Sequence, residues 1–353
     1  MNLPITADLP GAASDVTSDL KVEAIPIRWS PDLPIYACEA FLKYSGNEYG
    51  WLGGFDDNGE IRCVLPYTII VKGFLRMARF RVETLFKGHP ISPGQEKRFL
   101  NKVMTYLRSS ECDLVVPAPP NTIFRTVPDG AVAAPYGSYV VDLTVSEETR
   151  WNKLHSKHRN AIRSARKKGV QIKAGVEYAD AAYRLIRRTL KRSRLGFLST
   201  KSFKRLLAAL EGNISVVVAE QGGVLQGCAV IPYSAHSAYY LYGGSSDTPA
   251  SGAMNLLQWE AMRHFSELGT KRYDFVGTRI DPDKDSKQRG LQMFKERFGG
   301  RLLQGYLWKY PFRRWKYACY QIAVRGLRGG DIVDKERHRL PSSGFDAETS
   351  NEV

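Results

Sequence analysis

The chain contains no uninterrupted apolar run of about 18 residues, so no segment reads as a membrane-spanning helix. Its first residues lack a basic stretch leading into an apolar core, and no secretory signal is expected. Cysteine is scarce: Cys38, Cys63, Cys112, Cys228 and Cys319 are the whole set. An odd count with no metal-ligand spacing argues against a disulfide framework or a thiolate metal site. Buried free thiols in a reducing cytoplasm are the expectation, with no metal bound. His155, His158, His236 and His264 show no triad-like arrangement. Acid is also in deficit: 36 Asp and Glu stand against 51 Lys and Arg, a formal charge of +15. Such a field favours anionic partners, whether RNA, nucleotide phosphates or an anionic membrane surface, without choosing among them.

What is present is ordinary for a globular protein: 353 residues, 43% of them hydrophobic, enough for about two domains with real cores. Residues 1–24 show no periodicity and read as a loose tail. Residues 49–55 and 61–71 alternate as strands around the turn Asp56-Asp57-Asn58-Gly59. Residues 79–86 give another strand, 96–108 a helix with Phe99, Val103, Met104 and Leu107 on one face, and 113–117 and 138–143 short strands. Thr144 to Glu147 matches a capping box opening a long helix through Trp151, Leu154, His158, Ile162 and Ala165, with Gly169 as its left-handed stop.

The alternation then repeats. Residues 178–192 and 202–210 read as helices. Residues 214–220, 224–233 and 238–242 read as an antiparallel meander turned at Gln221-Gly222-Gly223. A helix over 253–268, a strand over 273–276, a short helix over 291–298 and a strand over 302–310 complete the domain. The expected division is a first α/β domain over 25–148, a second over 149–310, a return helix over 311–330 packed on the first, and a polar tail over 331–353.

Four constellations could carry chemistry. The helix from Arg150 to Val170 holds eight basic residues and no acid. Lys157, Arg159 and Arg163 could converge on a polyanion, or form a solvated face. In Tyr239-Tyr240-Leu241-Tyr242-Gly243-Gly244, strand alternation puts Tyr240 and Tyr242 on one face, lining a substrate cleft or packing a core. Between Tyr306 and Arg328, aromatics interleave with Lys309, Arg313, Arg314, Lys316, Arg325 and Arg328. That pattern suits lipid head groups or tRNA, or packing of the aromatics on domain one. Finally, Tyr273-Asp274-Phe275-Val276-Gly277 is followed by Phe294-Lys295-Glu296-Arg297-Phe298-Gly299-Gly300.

This last pair resembles the C-terminal signature of the FemAB family and its BioF2-like acetyltransferase relatives: an aromatic-Asp-aromatic strand, a Gly, then Phe-Lys-x-x-Phe-Gly. The stretch from Trp151 to Val170 resembles the family's linker helix, and the likeness covers about residues 145–310. It implies two tandem GNAT-like α/β domains with mixed sheets and a cleft between them. It also implies transfer of an aminoacyl group onto an amine of a cell-wall precursor by direct amine attack. Lys295, beside Phe294, would steady the oxyanion; Asp274, Gly277, Tyr240, Tyr242, Lys157, Arg159 and Arg163 would bind substrate. No bound cofactor is expected; the donor would be aminoacyl-tRNA or acyl-CoA. Ser251-Gly252-Ala253 matches poorly the Gly-rich loop that grips CoA pyrophosphate in acetyl-CoA-using GNAT enzymes. Expected partners are tRNA and an anionic precursor, not DNA, in the cytoplasm, with peripheral contact at the inner membrane face. Two alternatives stand beside this: an acyl-CoA-dependent N-acyltransferase of surface polysaccharide, and a non-catalytic binder of RNA or membrane.

Overall fold

The computed structural model describes residues 19–339. The first half opens with β1 (Lys21–Ile25), α1 (Glu39–Ser45), β2 (Glu48–Phe55) and β3 (Ile61–Lys72). Asp56 makes the β2–β3 turn: its Oδ1 accepts from the Asn58 and Glu60 amides at 3.0 Å, while Gly59 takes φ +74°. β4 (Leu75–Phe80), β5 (Leu85–Phe86), α2 (Pro93–Ser109), β6 (Leu114–Val115) and β7 (Val132–Asp142) follow. The strand expected over 79–86 is therefore two short strands. α2 starts earlier than expected because Ser92 and Gln95 form a capping box ahead of Pro93.

Two expectations for the chain ends change. Residues 1–18 lie outside the described region, but residues 21–25 are strand, paired antiparallel with β2. Leu20 beside them is buried in the first core. At the other end, residues 340–353 lie outside the described region, whereas Ile332–Arg337 form a docked helix.

The linker holds α3 (Glu147–Lys153) and α4 (Ser156–Lys167), not one long helix. Ser146 rather than Thr144 caps α3, accepting from the Thr149 amide; Thr144 instead bonds Asp142. Leu154 and His155 are extended. His155 caps α4 through Nδ1, and its own amide donates to the Arg297 carbonyl at 2.9 Å. Gly169 ends α4 at φ +77°, with Val170 N–H bonded to Ala165 O as a Schellman stop requires.

The second half runs β8 (Gln171–Ala174), α5 (Ala179–Arg192), α6 (Thr200–Ala209), β9 (Ile214–Gln221), β10 (Val224–Pro232), β11 (Ala238–Tyr239), β12 (Tyr242–Ser245), α7 (Ala253–Glu267), β13 (Arg272–Asp274), α8 (Lys287–Glu296) and β14 (Arg301–Pro311), then α9 (Arg314–Arg328) and α10 (Ile332–Arg337). One sheet of ten strands is ordered β1-β2-β3-β4-β6-β14-β7-β13-β11, with β5 on β3; a second is ordered β12-β10-β9-β8. The only parallel pairs among the described strands are β4–β6 and β11–β13, the crossovers that α2 and α7 make. β7, from the first half of the sequence, lies between β14 and β13 from the second. The Leu241 amide bonds back to the Tyr239 carbonyl, a three-residue turn that ends β11 and hands the chain to the other sheet.

A candidate active site at the joint of the two halves

The site is built where β7, β13 and α8 meet. β13 ends at Asp274, whose carboxylate accepts from the Ser138 hydroxyl of β7 and from the Val276 amide. The chain then turns left-handed twice: Val276 has φ +50° and Gly277 φ +63°. A β-branched residue at positive φ is a strained conformation that surroundings must hold in place. Gly277 is required for a second reason, since a Cβ there would sit 2.6 Å from Pro120. The double turn aims two carbonyls at one point, and Lys295 Nζ donates to both, at 2.7 Å to Val276 O and also to Gly277 O. Lys295 has three N–H donors; two are taken, leaving one for an outside acceptor.

Burial sets the electrostatics. Desolvation pulls the Lys295 ammonium down to about 8, opposed by the negative charge of Asp274. Burial pushes the Asp274 carboxyl up, opposed by its Ser138 and Val276 hydrogen bonds and by Arg272 and Lys295. Glu83, between β4 and β5, is pushed by burial to about 7, opposed by its own backbone hydrogen bond and by Arg272, while Asp274 and Glu96 push it further up. Arg272 is held by the buried His236.

The residues read from the sequence separate into groups. Lys295, Asp274 and Gly277 come together as described. Phe294 is next to Lys295, but its ring packs on His158 and Phe298, and its carbonyl meets His158 Nε2 at 3.0 Å. Tyr240 joins the second-half core edge-on to Phe275, with its amide on Asp274 O. Tyr242 packs on Phe197 instead. The two tyrosines therefore do not share a face, because the turn at Tyr239–Leu241 breaks the alternation. Gly244 makes a close approach to the backbone of α5, where a Cβ would lie 2.8 Å from Ile186 N. On α4, Arg159 is spent on the Asn152 and Leu154 carbonyls at the α3 end, and Arg163 stacks over Trp151 at 5.4 Å. Lys157, Lys167 and Lys168 are exposed. Gly252, at the start of α7, has φ +82° and faces the Ala161 carbonyl, 2.2 Å from where a Cβ would be. Helix α4 thus lies against that N-terminus.

Sequence reasoning missed Glu83, Ser138 and Arg272. Nothing in the local pattern marks Glu83; burial in the folded chain raises its carboxyl, and the charge of Asp274, distant in sequence, adds to the rise.

Three comparisons bear on this geometry. Residues 152–289 match the family described as acetyltransferase (GNAT) domain. The chain is 40% identical over 81 residues to a lipid II:glycine glycyltransferase of Staphylococcus epidermidis, covering 23% of this chain and 20% of that protein. It is 36% identical over 100 residues to a lipid II:glycine glycyltransferase of Staphylococcus aureus, covering 28% and 22%. The match thus spans about a fifth of the length of these relatives. The crystal structure of FemX superposes with a TM-score of 0.63 over 82% of this chain and 95% of that one, at 15% identity; the likeness is one of fold. Together they support the FemAB-like, GNAT-type resemblance of the chain.

Proposed function

We propose, for a chain that is FemAB-like in sequence and in fold, that it is an acyltransferase moving an aminoacyl group from aminoacyl-tRNA onto an amine of a peptidoglycan precursor. The observation that carries the reading is Lys295: a partly desolvated cation, fixed by two carbonyls, with one donor left over. The amine attacks the ester carbonyl, an amide C–N bond forms, and the ester C–O bond breaks. Negative charge passes through the carbonyl oxygen, where the free N–H of Lys295 stabilises it. The amine loses a proton and the leaving ribose oxygen gains one, so the step is balanced. We assign that proton to Glu83, whose carboxyl burial raises to about 7, as part of the same proposal. The exposed lysines of α4 suit the phosphates of the donor.

The second reading, an acyl-CoA-dependent N-acyltransferase, draws on the acetyltransferase description of the matched domain. Against it, α4 packs onto the start of α7, the helix N-terminus that would receive the pyrophosphate. The test is to incubate the protein with charged tRNA or acetyl-CoA and with a soluble muropeptide precursor, then weigh the acceptor. An aminoacyl mass increase only with charged tRNA is expected, and Lys295→Ala should lower its rate by about 10²–10³ with the fold intact. Acetyl transfer from acetyl-CoA would move the assignment to the second reading. A variant with full activity would remove Lys295 from the mechanism.

A further inference from the structure

Helix α9 is amphipathic the wrong way round for a helix in water. Its inward face packs Tyr317 and Tyr320 on Met77, Leu114 and Val116. At about 100° per residue, Trp315, Ala318, Cys319, Ile322, Ala323 and Gly326 share the opposite side. Trp315 is 62% exposed and Ile322 73%. Phe74, in the β3–β4 turn, is 59% exposed and lies parallel to Trp315 at 5.9 Å. Large apolar side chains gathered on one exposed face need a partner.

The helix and the strand before it carry charge of one sign. No acidic residue occurs between Glu296 and Asp331. Lys309 is buried against Asp331 and Asp334, and Lys316 and Arg313 are tied to Asp113. Arg314 and Arg325 flank the apolar side and are exposed. The helix is only 15 residues long, and no described helix is long and apolar enough to cross a membrane.

From these observations we infer that α9, with Phe74, is a monotopic docking face that lies in the head-group layer of an anionic bilayer. Trp315 and Ile322 enter the acyl boundary beside Phe74, and Arg314 and Arg325 meet lipid phosphates. RNA fits the face less well. One ring face of Trp315 is covered by Phe74, and Ile322 offers nothing to stack on or pair with a base. The inference goes beyond the transfer reaction and does not depend on which donor is used.

The test is flotation of the full chain with vesicles of equal phosphatidylglycerol and phosphatidylcholine, and with phosphatidylcholine alone. Binding to the anionic vesicles, weakened by 0.5 M salt on the order of tenfold or more, is expected. The double variant Trp315→Ser, Ile322→Gln should lower the bound-to-free ratio by about tenfold or more, with transfer to a soluble acceptor unchanged. Cys319 is the one partly exposed cysteine among the five, the others being buried; a polarity-sensitive dye on it should shift to the blue on binding. Failure to bind anionic vesicles, or equal binding by the double variant, overturns the proposal. So does light scattering that shows a dimer which the double variant turns to monomer, since the face would then be a self-interface. Loss of RNA affinity in place of vesicle affinity overturns it too. Because vesicle binding and transfer are read separately, failure of one leaves the other standing.

Discussion

Lys295 would be an unremarked lysine near a helix end were it not for two residues at positive φ. Val276 and Gly277 turn their carbonyls onto its ammonium, so cation and turn hold each other. In the proposed transfer its titration would set an upper limit for activity. With the ammonium at about 8, oxyanion stabilisation would be present below that pH and fade as pH rises through it. In the same proposal Glu83, at about 7, must be ionised to accept a proton, so its contribution would appear as pH rises through about 7. The rate should peak in a narrow band between the two. Glu83→Gln should abolish the acid limb and lower the rate by about 10²–10⁴, measured as a pH profile of single-turnover transfer. An unchanged acid limb would take the proton-carrying role from Glu83. The Phe-Lys and aromatic-Asp-aromatic motifs made Lys295 and Asp274 legible in the sequence. Glu83 was not, because its shift comes from burial that only the folded chain supplies.

At the scale of elements, departures from the sequence reading occur where side chains competed with simple periodicity. The linker carries helical spacing throughout, yet breaks at Leu154 and His155. There the His155 ring caps the next helix and its amide serves Arg297, local bonds that offer the backbone an alternative to helix. The tyrosine-rich strand carries strand alternation, yet turns at Leu241 because its two ends belong to different sheets. Gly252 shows what the α4–α7 contact demands. Gly252→Ala places a Cβ 2.2 Å from the Ala161 carbonyl at φ +82°, combining left-handed strain with a backbone clash. Chemical denaturation should show a loss of about 2 kcal/mol or more; a loss under about 0.5 kcal/mol would mean that α4 yields easily.

Across the whole molecule, β7 and β14 fuse the halves. β7 lies between β14 and β13, and a shared core brings Tyr36, Trp51 and Val82 against Tyr239 and Leu206. Within β14, Lys309 is fully buried against Asp331 and Asp334, which pins α10 to the sheet. Lys309→Met removes one side of a buried ion pair and leaves two carboxylates without their cation. It should cost about 3–5 kcal/mol and free α10 to exchange its amide hydrogens faster, both readable by denaturation and hydrogen exchange. Retained protection in α10 would show that apolar contacts alone hold it. The sequence by itself determined the mixed α/β class, most helices and strands, the absence of a spanning helix and the two motifs of the site, because periodicity, caps and glycine stops are local properties. Only the tertiary structure decided that the tyrosines part, that Arg159 serves a helix end, that burial raises the Glu83 carboxyl and that α9 shows its apolar side to the outside. Each depends on which surfaces, distant in the chain, are buried against one another.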